Sequence, residues 1–130
     1  MLADFIALTR DDPFVWGQND CALWAASAVR FETGFDPAAD LRGTYSKAAS
    51  SRRMIQKAGG LLRLIEPRMR WPGLRDLSGD GAAVLSLDDG SDGQTLCGLI
   101  LDGRAVLRMK SGLQITDDFT VLRGWSWHQH

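Results

Sequence analysis

The run Trp16-Gly17-Gln18-Asn19-Asp20-Cys21 is where this sequence could do chemistry. Asn19 or Asp20 can cap a helix, and the stretch from Asp20 to Thr33 is Ala-rich, carries Leu23, Trp24, Val29 and Phe31, and is followed by Gly34. That pattern predicts Cys21 in the first turn of a helix. Unpaired backbone N–H groups and the positive end of the helix dipole favour thiolate there, so the thiol is expected below its free pKa of about 8.5. A thiolate is the nucleophile of cysteine hydrolases, and the same N–H groups can hold an oxyanion. Buried cysteines on apolar helix faces are also common, so position alone leaves a packing role open.

Trp16, Asp20 and Trp24 are the candidate substrate-binding residues around this thiol. Trp24 lies three residues after Cys21 and shares its helix face. Trp16, Trp24, Trp71, Trp125 and Trp127 could line a groove for sugar or peptide, and they suit core packing equally well. A cysteine hydrolase also needs an imidazole to take the thiol proton and return it to the leaving amine. The two histidines, His128 and His130, stand in the terminal run Trp125-Ser126-Trp127-His128-Gln129-His130. His128 is the candidate base if a last strand lies beside Cys21; a frayed tail is the alternative. Cys21 and Cys97 are too far apart, without a nearby His or second Cys, to suggest a metal site, and no cofactor is implied. Two free thiols are expected in a cytosolic protein, with a disulfide between them as the alternative.

The elements that must position these groups divide the chain in two. Residues 1–75 read as helices. One, around Leu2, Phe5, Ile6 and Leu8, ends before Pro13. The Cys21 helix follows, then Ser46 to Ala58 stopped by Gly59-Gly60, then a short turn from Leu61 to Ile65. Residues 80–127 read as strands: Ala82 to Leu87, Thr95 to Leu101, Arg104 to Met109, Leu113 to Thr116 and Val121 to Trp127. Asp102-Gly103 between apolar runs predicts a two-residue type I′ hairpin turn. Ser111-Gly112 is a second turn, and Asp88 to Gly93 is a polar loop. Helices followed by an antiparallel sheet make an α+β fold in a single domain over residues 1–130.

Composition sets limits on partners. Of the 130 residues, 45% are hydrophobic and 24% charged, enough for a core without disulfide staples. The net charge of -1 gives no global reason to expect nucleic acid or a membrane. Charge is unevenly spread, however. Arg42, Lys47, Arg52, Arg53, Lys57, Arg63, Arg68, Arg70 and Arg75 face Glu66 alone within residues 42–75. That block is a solvated helix face or a docking surface for an acidic partner protein. The N-terminal Met1-Leu2-Ala3-Asp4-Phe5 has an acid where a signal peptide would be basic. No apolar run approaches the roughly 18 residues of a membrane span, so synthesis in a bacterial cytoplasm is expected.

Pro13 to Cys21 resembles the approach to the nucleophile helix in NlpC-type, papain-like cell-wall peptidases, where an aromatic-Gly stretch leads to Asp-Cys. The likeness is closer to a phage, prophage and gene-transfer-agent branch with a Trp-Gly-x-x-Asp-Cys motif. The further motifs of that branch occur here in order: Thr33-Gly34-Phe35-Asp36-Pro37, Arg42-Gly43-Thr44-Tyr45, Gly59-Gly60-Leu61 and Gly79-Asp80. The resemblance implies a papain-like NlpC-type domain with Cys21 at the nucleophile position. Active relatives carry a His before the strand that here reads Thr95-Leu96-Cys97-Gly98-Leu99-Ile100, and this chain has none there. Leu96 cannot move a proton. The resemblance therefore implies a structural or docking component of a phage tail hub or tip, built on a degenerate peptidase fold and carried in the virion. Its partners would be other tail proteins. Two alternatives are an active peptidase or amidase on peptidoglycan during genome delivery, and a tail assembly factor that leaves the particle.

Overall fold

The structure, a computed structural model, describes residues 1–87 and 94–127. Its helical half contains α1 (Leu2–Thr9), α2 (Cys21–Thr33), α3 (Ala48–Ala58) and α4 (Leu61–Ile65), the last running into a 3-10 turn over Glu66–Met69. Six strands follow: β1 (Leu74–Asp76), β2 (Gly81–Leu87), β3 (Thr95–Leu101), β4 (Arg104–Met109), β5 (Gly112–Thr116) and β6 (Phe119–Trp127). They form one sheet in the order β1-β6-β2-β3-β4-β5, and every neighbouring pair is antiparallel. The α+β class and the order of helices before strands are those predicted.

Helix α2 is the centre of the packing. Asp20 caps its start, and Gly34, left-handed at φ 81°, closes its end by donating to the Arg30 carbonyl at 2.8 Å. Trp24, Ala28 and Val29 press on Val84, Cys97, Leu99, Val106 and Trp125 of the sheet. Strand alternation sends the neighbours Ala83, Leu85, Ile100 and Leu107 to a second cluster on the opposite face. Leu85, Leu99 and Leu107 are fully buried. Each such side chain stabilises the fold by roughly 1.5–3 kcal/mol, so the sheet is apolar on both sides.

Strand β1 was not expected. It has three residues and no alternation to mark it, and β6 creates it by pairing Leu74 with Trp127 and Asp76 with Trp125. The helical half therefore ends before residue 75. Asp102 (φ 52°) and Gly103 (φ 80°) both take the positive φ that the predicted type I′ turn requires.

One buried charge ties the halves together. Arg108 on β4 is 1% exposed, and its guanidinium donates to the carbonyls of Thr9, Arg10 and Asp12 at the C-terminal end of α1. It also lies 5.6 Å from the Trp24 ring centroid. The helix end supplies partial negative charge, which offsets part of the cost of burying the cation. Among the described residues no helix is long and apolar enough to cross a membrane.

Candidate functional site

The site lies where β3 and β4 part. Strand β3 stays paired with β2 up to Thr95, opposite Ser86, but its ladder with β4 stops at Leu99–Val106. The register would next set Gly98 opposite Leu107 and then Cys97 opposite Arg108. The N-terminus of α2 meets β3 there instead, close enough for the Cys97 backbone to pull the Cys21 thiol pKa downward. A cysteine at the start of a buried helix is thus set against the unpaired edge of a strand.

The motifs around the thiol interlock. Asp20 is 2% exposed: its Oδ1 accepts from Leu23 N–H at 3.0 Å, and its Oδ2 accepts from Gly17 N–H at 3.0 Å and from the Tyr45 hydroxyl. Gly17 has φ 79°, and a Cβ there would come within 1.8 Å of the Tyr45 carbonyl oxygen, so glycine is required twice over. Its own carbonyl accepts from Gly43 N–H at 2.9 Å. Arg42 forks onto Asp36 at 2.7 and 3.1 Å. The Trp-Gly-x-x-Asp-Cys, Thr-Gly-x-Asp-Pro and Arg-Gly-x-Tyr stretches are therefore one scaffold that fixes the loops on either side of Cys21.

Two of the candidate binding residues lie inside the protein. Asp20 has both oxygens engaged inside the protein and anchors the helix rather than reaching for substrate. Trp24 is 1% exposed, donates from Nε1 to Thr9 Oγ1 at 2.9 Å and belongs to the core. Trp16 differs. It is half-buried and lines the clefts beside Cys21, edge-on to Phe14 with centroids 4.9 Å apart.

The electrostatics of the thiol also run against expectation. Burial pushes the Cys21 pKa up to about 11, and the negative charge of Asp20 adds to the shift. The backbone N–H groups of Cys97, Ala22 and Cys21 pull the other way, without overcoming burial. The helix N-terminus is present as predicted, yet desolvation beside a carboxylate outweighs it. Burial likewise raises the Cys97 thiol well above its ordinary range. Both cysteines are free.

Leu96 lines both clefts that reach Cys21, and no described residue offers an imidazole there. His128 lies outside the described residues. Trp127, the residue before it, ends β6 opposite Leu74, four positions beyond Arg123, which shares the row of Val84 and Cys97. Polar side chains that line the clefts at the thiol include Tyr45, Ser51, Arg52, Thr95 and Lys110, besides the internally engaged Asp20. Burial, then the Asp20 carboxylate, raises the Tyr45 phenol above its ordinary value. Among the described residues no three His, Cys, Asp or Glu side chains gather as a metal site would need.

Sequence reading missed Lys110. It follows β4 and reaches the site only because the β4–β5 turn folds over it, with Nζ 5.7 Å from the Trp16 centroid. No local motif marks it. Of the basic block, Arg42 and Arg68 are engaged by Asp36 and Asp40, whereas Arg52, Arg53 and Lys57 stand exposed on α3.

A family model matches residues 1–127 of the chain. The chain belongs to that family, Domain of unknown function (DUF6950). Neither a curated protein nor a solved structure matches it. The match takes in the whole scaffold around Cys21 and every strand of the sheet, so site and fold both belong to the DUF6950 domain.

Proposed function

We propose that this chain is a degenerate NlpC-like, papain-like domain that serves as a structural or docking component of a phage or prophage tail. One observation carries the non-catalytic part of this reading. Cys21 opens a helix against a strand, and the clefts that reach it are lined by Leu96, at the place where the resemblance would put the catalytic His. A thiol pushed up to about 11 is almost entirely protonated at neutral pH and attacks a carbonyl poorly. The scaffold around it is intact, so the fold is kept while the proton transfer has no described agent. The tail setting rests on the motif resemblance, in which Trp16-Gly17, Asp20-Cys21, Asp36-Pro37 and Arg42 to Tyr45 follow the order of the phage and prophage branch.

Cys21 opens α2, and the first backbone N–H groups of that helix, which pull its thiol pKa down, are of the kind that can hold an oxyanion. That favours a second reading, a peptidase or amidase on peptidoglycan whose base comes from a partner or from His128. Mass spectrometry of purified tail particles tests the first reading. The chain should be found in finished particles at a fixed ratio to the hub proteins. Its absence from particles, with abundance in the lysate, would overturn that role in favour of an assembly factor.

A further inference from the structure

We propose that the groove crossing the N-terminus of α2 binds an extended acidic segment of a partner protein, through apolar side chains on its floor and carboxylates on the cations of its rim. This rests on the docking reading above and adds the surface and the chemistry of its partner. The two clefts that reach Cys21 share Trp16, Leu96 and Lys110 and so form one continuous groove over the thiol. Leu41, Met54, Ile55 and Leu64 line one arm with aliphatic surface. Lys110 and Arg52 stand exposed on the rim, and neither has an ion-pair partner among the described residues. Arg53 and Lys57 extend the same charge along α3.

Cations of one sign around a low-dielectric groove focus their field into it, which favours an anionic ligand. Apolar anchors supply the area, and the rim charges select the partner and its register. Nucleic acid fits less well, because single strands need open aromatic faces for stacking. Of the rings at the groove, Phe14 and Trp16 are edge-on to each other at 87°, Lys110 lies over Trp16, and Tyr45 is tied by its hydroxyl to Asp20.

Fluorescence anisotropy on the full chain tests this, with a labelled hexapeptide of alternating Glu and Leu as probe. Comparison probes carry Lys in place of Glu, or Ser in place of Leu, and a labelled oligothymidylate covers nucleic acid. The acidic peptide should bind saturably and more weakly as salt rises, and both altered peptides should bind less. The exposed double variant Arg52→Glu with Lys110→Glu should weaken binding by about tenfold or more. No saturable binding, equal binding of the Lys peptide, or tighter binding of the oligothymidylate would overturn the proposal. Failure here and failure of the tail reading are separable. Chain found in particles without peptide binding removes the groove alone, and peptide binding by a chain absent from particles removes the tail role alone.

Discussion

The Tyr45 hydroxyl donates to Oδ2 of Asp20, the carboxylate whose other oxygen caps α2 one residue before Cys21. A loop 25 residues downstream is thereby fastened to the base of the nucleophile-like helix. Asp20 is buried and Tyr45 is half-buried, so leaving the carboxylate oxygen unpaired costs more than losing an exposed hydrogen bond would.

Asp20→Ala removes the cap and two further hydrogen bonds, and should destabilise the fold by about 2–3 kcal/mol in urea unfolding. Tyr45→Phe should cost about 1–2 kcal/mol in wild type, and much less when Asp20 is already Ala. Additive losses would show that the two side chains act independently.

Gly17→Ala adds a Cβ 1.8 Å from a backbone oxygen at a positive φ, and should destabilise by more than about 3 kcal/mol or leave the chain unfolded. Gly43→Ala is the control. It shares the positive φ of 74° but has nothing within 4 Å of its Cβ, so about 1–2 kcal/mol is expected. Circular dichroism melts of the two variants separate close approach from backbone conformation.

The motif order, the helix over Cys21–Thr33 and the strands after residue 80 were legible because each rests on local signals: an Asp cap, a left-handed Gly, alternation, a two-residue turn. Strand β1 was not, since three residues paired only with the far end of the chain carry no local pattern. The site was half legible. Cys21 stands where its capping residues predicted, but a thiol's pKa depends on what surrounds it in space. Burial, with the Asp20 carboxylate adding to it, reverses the shift that the helix end alone would give, although the β3 edge pulls the other way. Asp20 and Trp24 looked available for substrate because sequence shows type and spacing, not burial. Lys110 arrives at the groove by tertiary folding alone.

Alkylation of Cys21 should accelerate through pH about 11 rather than through the ordinary thiol range, as followed by mass spectrometry of iodoacetamide-treated protein. The same shift sets a stability window. Between the unfolded thiol value of about 8.5 and about 11, the unfolded chain releases this proton and the folded chain keeps it. This group's contribution is therefore fully present below that window and is lost as pH rises through it. Cys21→Ser should flatten the fall in stability over that range. A thiolate formed near neutral pH would contradict the burial account.

Arg108→Lys keeps the charge but cannot fork across three carbonyls at the end of α1. A loss of about 2–4 kcal/mol is expected, with hydrogen-exchange protection falling first over Leu2–Thr9. Unchanged protection there would mean that α1 is held by its apolar contacts with Trp24 and Val29 rather than by the clamp.

Release of peptide from purified peptidoglycan, compared between wild type and Cys21→Ala at equal concentration, is the most direct measurement of whether Cys21 is a catalyst. With Leu96 lining the clefts at the thiol and the thiol pKa pushed up by burial, both proteins should give the same background. Release by wild type that vanishes in Cys21→Ala would show that a base reaches the sulfur, and would contradict the docking role.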